Sequence, residues 1–274
     1  MDIFTFVSPR IQEFSLPSNL IYFINRNTKN AKILEKLQKT CKYLFAKNKV
    51  VIIKDAWFSD KNWSTNHHLN QTLGKLENFN AKIWIMGNLS VSRWFDPNSN
   101  LNKILCSKIY YNEITSFEIQ CAILYLSEFE ILTSSKALKV IGLHLSVILD
   151  KNDKNVSIDE ILKRVSNISE FIYQKSKEFA PETIELTNQT LKNMTSILNG
   201  NRLNVLCIYR LSPTFDPNLF FDFIKTAAAP KALFEFYIQC VAFKKFMKKA
   251  VNQMLSKWDI PVNQKPSIDF YDDF

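Results

Sequence analysis

The 274-residue chain is 46% hydrophobic, enough to bury a sizeable core as one large domain or two small ones, and too much for wholesale disorder. Its four glycines, Gly74, Gly87, Gly142 and Gly200, are too scattered for a dinucleotide fingerprint or a P-loop. A net charge of +9 permits attraction to nucleic acid or acidic membranes, but the lysines run along the whole chain and read as solvated surface.

The five cysteines, Cys41, Cys106, Cys121, Cys207 and Cys240, form no CxxC pair and leave one over. Neither a zinc ribbon nor a secreted disulfide framework is indicated, and a reducing compartment, cytoplasmic or nuclear, fits best. The opening MDIFTFVSPR has no cationic segment ahead of a long apolar run, so no signal peptide is expected. No stretch reaches the roughly 18 uncharged apolar residues of a membrane span.

Taken in chain order, the first elements are helices. After Ser15-Leu16-Pro17, apolar residues fall at Leu20, Ile21 and Ile24, then at Ile33, Leu34, Leu37, Cys41, Leu44 and Phe45. That spacing predicts a short helix, a polar turn at NRNTKNAK and a longer helix ending near Asn48. Pro17 suits a helix start, with Ser15 as a candidate cap.

From Lys49 the pattern changes, because VVII is the β-branched run of a buried strand. Similar runs recur at KIWIM (82–86), KIYY (108–111), LKVIGL (138–143), LNVLCIY (203–209) and LFEFYI (233–238), with a weaker one at Phe171–Tyr173. Between them lie segments of helical spacing. One is Phe117, Cys121, Leu124 and Tyr125; a second is Ile158, Ile161, Leu162 and Val165; a third is Leu219, Phe220, Phe223 and Ile224. Strand then helix repeats every ~25 to 35 residues, the period range of solenoid arrays. Consecutive parallel strands need helical crossovers, so a parallel sheet backed by helices is expected. Ser157 and Asp216-Pro217 read as helix starts. A last helix is expected over Val241–Trp258, followed by an extended acidic tail over 261–274 that carries two prolines and terminal aspartates.

Candidate chemistry is sparse. Adjacent His67 and His68 point apart on regular structure, and His144 has no Cys or Asp partner at metal-ligand spacing. There is no G-x-S-x-G elbow and no H-E-x-x-H helix. No metal, cofactor or catalytic centre is therefore expected, and the protein is read as a binding protein rather than an enzyme. Lys244, Lys245, Lys248 and Lys249 share one helix face, as on a surface helix, with Phe243, Phe246 and Trp258 as core anchors, so nucleic-acid binding is the less favoured reading. Trp57, Trp63, Trp94 and Phe95 lie just beyond strand runs, where they either form a partner-binding hot spot or cap the ends of the core.

The N-terminal helices resemble an F-box. Leu16-Pro17 is followed at that motif's spacing by Leu20, Ile21 and Ile24, and Thr40-Cys41-Lys42-Tyr43-Leu44-Phe45 is similar to its closing element. The strings TCKYLFAKN, AKIWIMGNLSV, SKIYYNEI, SIDEILKRVSNISEF and RLSPTFDPNLFFDFIK resemble a divergent F-box-like group expanded in nematodes, with a leucine-rich-like C-terminal region. Leu44 followed by Phe45 departs from the single bulky aromatic usual near the closing element.

The resemblance implies an α/β chain. A short F-box-like helical segment (1–48) would be followed by an irregular leucine-rich-repeat-like array of strand-helix units (49–260) and the tail (261–274). It implies the substrate-recognition subunit of a cullin-based, SCF-type ubiquitin ligase. Leu16, Pro17, Leu20, Ile21, Ile24, Leu34, Leu37 and Cys41 would either dock a Skp-family adaptor or close the helical end of the protein's own core. The repeat region, with Trp57, Trp63, Trp94 and Phe95, would hold an unknown protein substrate. The alternatives are a ligase-independent protein-binding scaffold and, further off, a nucleic-acid binder.

Overall fold

A computed structural model describes residues 17–40, 49–59, 63–65, 76–92, 101–179 and 183–272. The chain forms two compact units, Met1–Ile52 and Ile53–Phe274.

In the first unit, helix α1 spans Ser18–Asn27 and α2 spans Ala31–Thr40. Pro17 precedes α1 with extended backbone (φ −55°, ψ 143°), where its missing N–H costs nothing. α1 turns Leu20, Phe23 and Ile24 outward at the i, i+3, i+4 spacing of one stripe. α2 buries Ala31 and Leu34 while Ile33 stays exposed, and a Glu35–Lys39 pair at 2.6 Å spans one turn of its polar face.

The sheet begins at β1 (Val50–Ser59), which folds back on β2 (Trp63–Thr65) as an antiparallel hairpin. It continues through β3 (Lys82–Ser92), β4 (Ile109–Gln120), β5 (Ile123–Tyr125) and β6 (Val140–Leu149). The remaining strands are β7 (Glu170–Lys175), β8 (Ile184–Thr187), β9 (Leu203–Thr214), β10 (Ala228–Ile238) and β11 (Ser267–Asp272). From β3 onward every described pairing is parallel. The spatial order is β2-β1-β3-β4-β6-β7-β9-β10-β11, with β5 beside β6 and β8 beside β9. Each long strand is thus laid next to its predecessor, with no reversal of direction across the sheet.

Parallel neighbours require crossovers. The described helices supply them: α3 (Leu101–Lys108), α4 (Leu126–Leu132), α5 (Ile158–Arg164), α6 (Asn188–Ile197), α7 (Pro217–Ala227) and α8 (Val241–Lys257). Crossovers share one hand, so an order that never reverses puts these helices on one face. Accordingly α3 packs on α4, α5 on α6, α6 on α7 and α7 on α8.

The core lies between these helices and the strands. One buried triad recurs: Ile114, Phe117 and Ile119; Leu138, Ile141 and Leu143; Ile168, Phe171 and Tyr173; Leu203, Leu206 and Ile208. The strand register sets successive triads side by side. Around α7, Phe220 meets Phe215, Phe236 and Phe270 with ring centroids 5.2, 5.2 and 6.1 Å apart. The backbone repeats as well. Lys139 O accepts from Ser169 N and Glu170 N, and one unit on Ser169 O accepts from Asn204 N and Val205 N.

Past the triads the strands bend at one level. Cys121, Leu145 and Arg210 have φ of 52°, 47° and 58°, a conformation that non-glycine residues rarely adopt. Ser146 secures this bend: its hydroxyl accepts from Ala122 N at 3.2 Å and donates to His144 O at 2.8 Å. Beyond it β5 runs beside the end of β6, and β8 beside the end of β9.

Three sequence expectations are corrected. The helical spacing of Phe117, Cys121, Leu124 and Tyr125 does not mark a helix: β4 runs to Gln120 with Phe117 and Ile119 buried alternately with Glu118, a period of two, and Leu124 and Tyr125 lie in β5. The segment expected as a tail supplies β11, whose Phe270 is buried against Phe236 with ring centroids 5.6 Å apart. Ser157 stands at the start of α5 without a side-chain cap bond. Asp216 does cap α7, accepting from Asn218 N at 2.9 Å, with Pro217 next.

Candidate functional site

Strand residues that alternate with the buried triads point to the face opposite the helices. Strand register aligns them in rows. The central row runs Glu118, Gly142, Ile172, Cys207, Glu235 and Asp269. The row before it includes Ser116, Val140, Glu170, Val205 and Leu233. The row after it pairs Gln120 with His144 and, at the other end, Tyr237 with Tyr271. Among these register positions stand four carboxylates, Glu118, Glu170, Glu235 and Asp269, and no lysine or arginine.

At the β9–β11 end the aromatic residues form a ladder. Tyr209 and Tyr237 stack with ring centroids 3.9 Å apart and planes within 11°, and Tyr237 and Tyr271 follow at 5.0 Å and 27°. Tyr237 has its phenol pushed up, first by a hydrogen bond with Tyr209 and then by desolvation. The charge of Asp269 is the largest cause raising Tyr271. Cys207 Sγ donates to Glu235 Oε2 at 3.3 Å. Burial, then the bond to Glu235, pushes that thiol up to about 12.

Toward the middle of the sheet, Gly142 has a steric role. A Cβ there would stand 2.7 Å from His144 Nε2 and 3.3 Å from Glu118 Cγ, so only glycine lets both side chains lie across this strand. The arrangement offers rings, carboxylates and an imidazole on an open surface. Among the described residues no group of three or more His, Cys, Asp or Glu could hold a metal, and no helix is long and apolar enough to cross a membrane.

The residues singled out from sequence distribute as follows. On α1, Leu20 and Ile24 are 46% and 43% exposed, and the neighbouring Phe23 reaches 63%. Leu34 is fully buried and Leu37 half-buried, so Leu34 presents nothing to a partner in this conformation. Pro17 is exposed at the head of α1, and Ile21 lies within that helix. Leu16, Cys41, Trp94 and Phe95 lie outside the described residues, as do His67 and His68.

Trp63 is a core residue rather than a partner contact, stacked on Phe58 at 5.6 Å and edge-on to Phe79 at 4.8 Å. Trp57, adjacent to Phe58 and so on the other side of the strand, is half-buried. On α8 the residues facing the core are Met247, Val251 and Met254. Phe246, expected as an anchor, is exposed, and Lys244 pairs with Asp272.

Sequence reasoning missed the tyrosine ladder and the acidic rows. Their signal was Glu-x-Tyr at 235–237 and Asp-x-Tyr at 269–271, the same pair of residue types at period two in two strands.

No family model, curated protein or solved structure matches this chain. What stands is a mixed α/β protein with a large, mostly parallel sheet.

Proposed function

We propose that this chain is a substrate-recognition subunit of a cullin-based ubiquitin ligase, docking a Skp-family adaptor through its N-terminal helices and a protein client on the open sheet face. The observation that carries the docking half is the outward apolar stripe of α1. Leu20, Phe23 and Ile24, with Ile33 on α2, are 43–63% exposed, and large apolar side chains clustered on an amphipathic helix suit a partner's groove. Catalysis would reside in other subunits.

The client half rests on a leucine-rich-like reading of the sheet. Ile114, Phe117, Ile119, Ala122 and Leu124, then Leu138, Ile141, Leu143, Ser146 and Ile148, follow the spacing L-x-x-L-x-L-x-x-N/C-x-L in successive units. The buried hydroxyl of Ser146, bonded to the preceding unit's Ala122 N, occupies the polar position of that pattern. Stacked units of this kind present an extended binding surface.

The test is reconstitution of the full chain with a purified Skp-family adaptor. Wild type should co-elute with the adaptor, and Leu20→Asp with Ile24→Asp should abolish co-elution while leaving the circular dichroism and melting curve unchanged. A folded wild-type chain that ignores the adaptor removes the ligase from the proposal. It would favour a second reading, a ligase-independent scaffold, which the sheet face opposite the described helices supports by itself.

A further inference from the structure

We infer that the β9–β11 end of the open sheet face recognises an arginine- or lysine-bearing segment of another protein. This deepens the client half of the proposed function and rests on the sheet face alone, not on adaptor docking.

The chain as a whole carries +9, yet the named open-face positions hold Glu118, Glu170, Glu235 and Asp269 without a lysine or arginine among them. Among the described residues no ion pair neutralises Glu235 or Asp269. Cys207 and Ser267 occupy only one oxygen of each, Glu235 Oε2 and Asp269 Oδ2, leaving the other free to accept. A guanidinium fork is the donor best matched to a carboxylate oxygen, and its desolvation cost is the smaller of the two basic side chains.

Tyr271 is on the edge strand, 40% exposed, and its one described ring neighbour, Tyr237, lies on the inner side. A cation over the outer π-face is attracted by the ring quadrupole. Asp269 and Glu235 lie two residues before Tyr271 and Tyr237 on the same faces of their strands, ~7 Å along the sheet, so one arginine can touch ring and carboxylate together. The charge of Asp269 is also the largest of the influences that raise the Tyr271 phenol, ahead of desolvation and Glu235.

From Glu118 on β4 to Asp269 on β11 there are five strand spacings, ~24 Å, which about seven extended residues cross. A phosphate backbone or anionic bilayer would meet carboxylates here, so a basic peptide is the occupant that the face favours.

The experiment uses the full chain and short fluorescein-labelled peptides of alternating Arg and Ala, with Lys and Glu counterparts, read by fluorescence anisotropy. The Arg peptide should bind most tightly, the Lys peptide several-fold more weakly, and the Glu peptide not measurably. Tyr271→Ala with Asp269→Asn should lower affinity for the Arg peptide at least ten-fold with an unchanged melting curve. Tyr271→Phe, which keeps the ring, should restore most of that loss when paired with native Asp269. Equal binding of Arg and Glu peptides, no binding of either, or an unaffected double variant overturns the inference. So does concentration-dependent self-association that the Arg peptide fails to reverse, since a second copy would then hold the face. Failure of adaptor co-elution leaves each of these outcomes readable.

Discussion

The two faces of this sheet are built to opposite rules. In β4, Phe117 and Ile119 are fully buried while Ser116 and Glu118 look the other way; in β7, Phe171 and Tyr173 are buried between Glu170, Ile172 and Gln174. Parallel sheets are ordinarily covered on both faces and read as continuous apolar runs. Here the described crossover helices α3–α8 lie on one face, and the strands alternate as an antiparallel sheet's would. Parallel pairing asks only for crossovers, and crossovers of one hand in unbroken order put the described helices on one face and leave the other to the strands' alternate side chains.

That contrast is broken most directly by substituting neighbours that face opposite ways. Phe117→Ala opens a cavity behind the sheet and should cost about 3–5 kcal/mol, whereas Ser116→Ala, one residue away on the open face, should stay within about 0.5 kcal/mol. Guanidinium unfolding of both variants checks this, and similar losses at the two positions would mean that the open face is as packed as the covered one.

The bend shared by the strands offers a smaller and sharper test. Ser146→Ala strips the acceptor from the buried Ala122 N–H and the donor from His144 O, an unsatisfied-group penalty of about 1–3 kcal/mol. Hydrogen exchange at Ala122 should accelerate more than at Phe117, since Phe117 belongs to the ladder before the bend. Uniform acceleration across the sheet would assign Ser146 to general packing and not to the bend.

How much of this was legible in the sequence follows from the same two-face rule. Where open-face positions such as Val140 and Val205 are apolar as well, the strand reads as a run, so VVII, LKVIGL and LNVLCIY gave β1, β6 and β9. Helix boundaries marked by Asp216-Pro217 and the 241–258 periodicity agreed with α7 and α8 within a residue. β4 misled because Phe117, Cys121 and Leu124 are spaced as in a helix, while the φ of 52° at Cys121 lets one strand change phase there. β11 was hidden by its acids: Asp269 suits the open face, while Asp272, in phase with the covered-side Ile268 and Phe270, pairs with Lys244 of α8. Trp63 misled for another reason. An aromatic residue at a strand end reads alike whether it caps the core or waits for a partner, and its burial is decided by Phe58 and Phe79. The tyrosine ladder needs the register of β9, β10 and β11, which no local pattern supplies.

Cys207 gives the smallest effect and the finest probe of the open face, because it is the one residue of the central row's ionisable set that is buried. Its thiol is pushed from 9.0 up to about 12, by desolvation and then by its bond to Glu235. A thiol that ionises later in the folded state than in the unfolded chain binds more protons when folded over that interval. Its contribution is therefore complete below about pH 9 and is lost as pH climbs toward 12. Cys106 is raised to about 12 as well, by burial and the charge of Glu128, so wild type alone does not separate them. The difference between wild type and Cys207→Ala does. Their denaturation midpoints should keep a constant offset through neutral pH and converge or cross as pH rises above 9, the variant having lost one such group. An offset that stays flat to pH 10.5 would mean that Cys207 ionises freely and that this part of the face is wetter than its 6% exposure indicates.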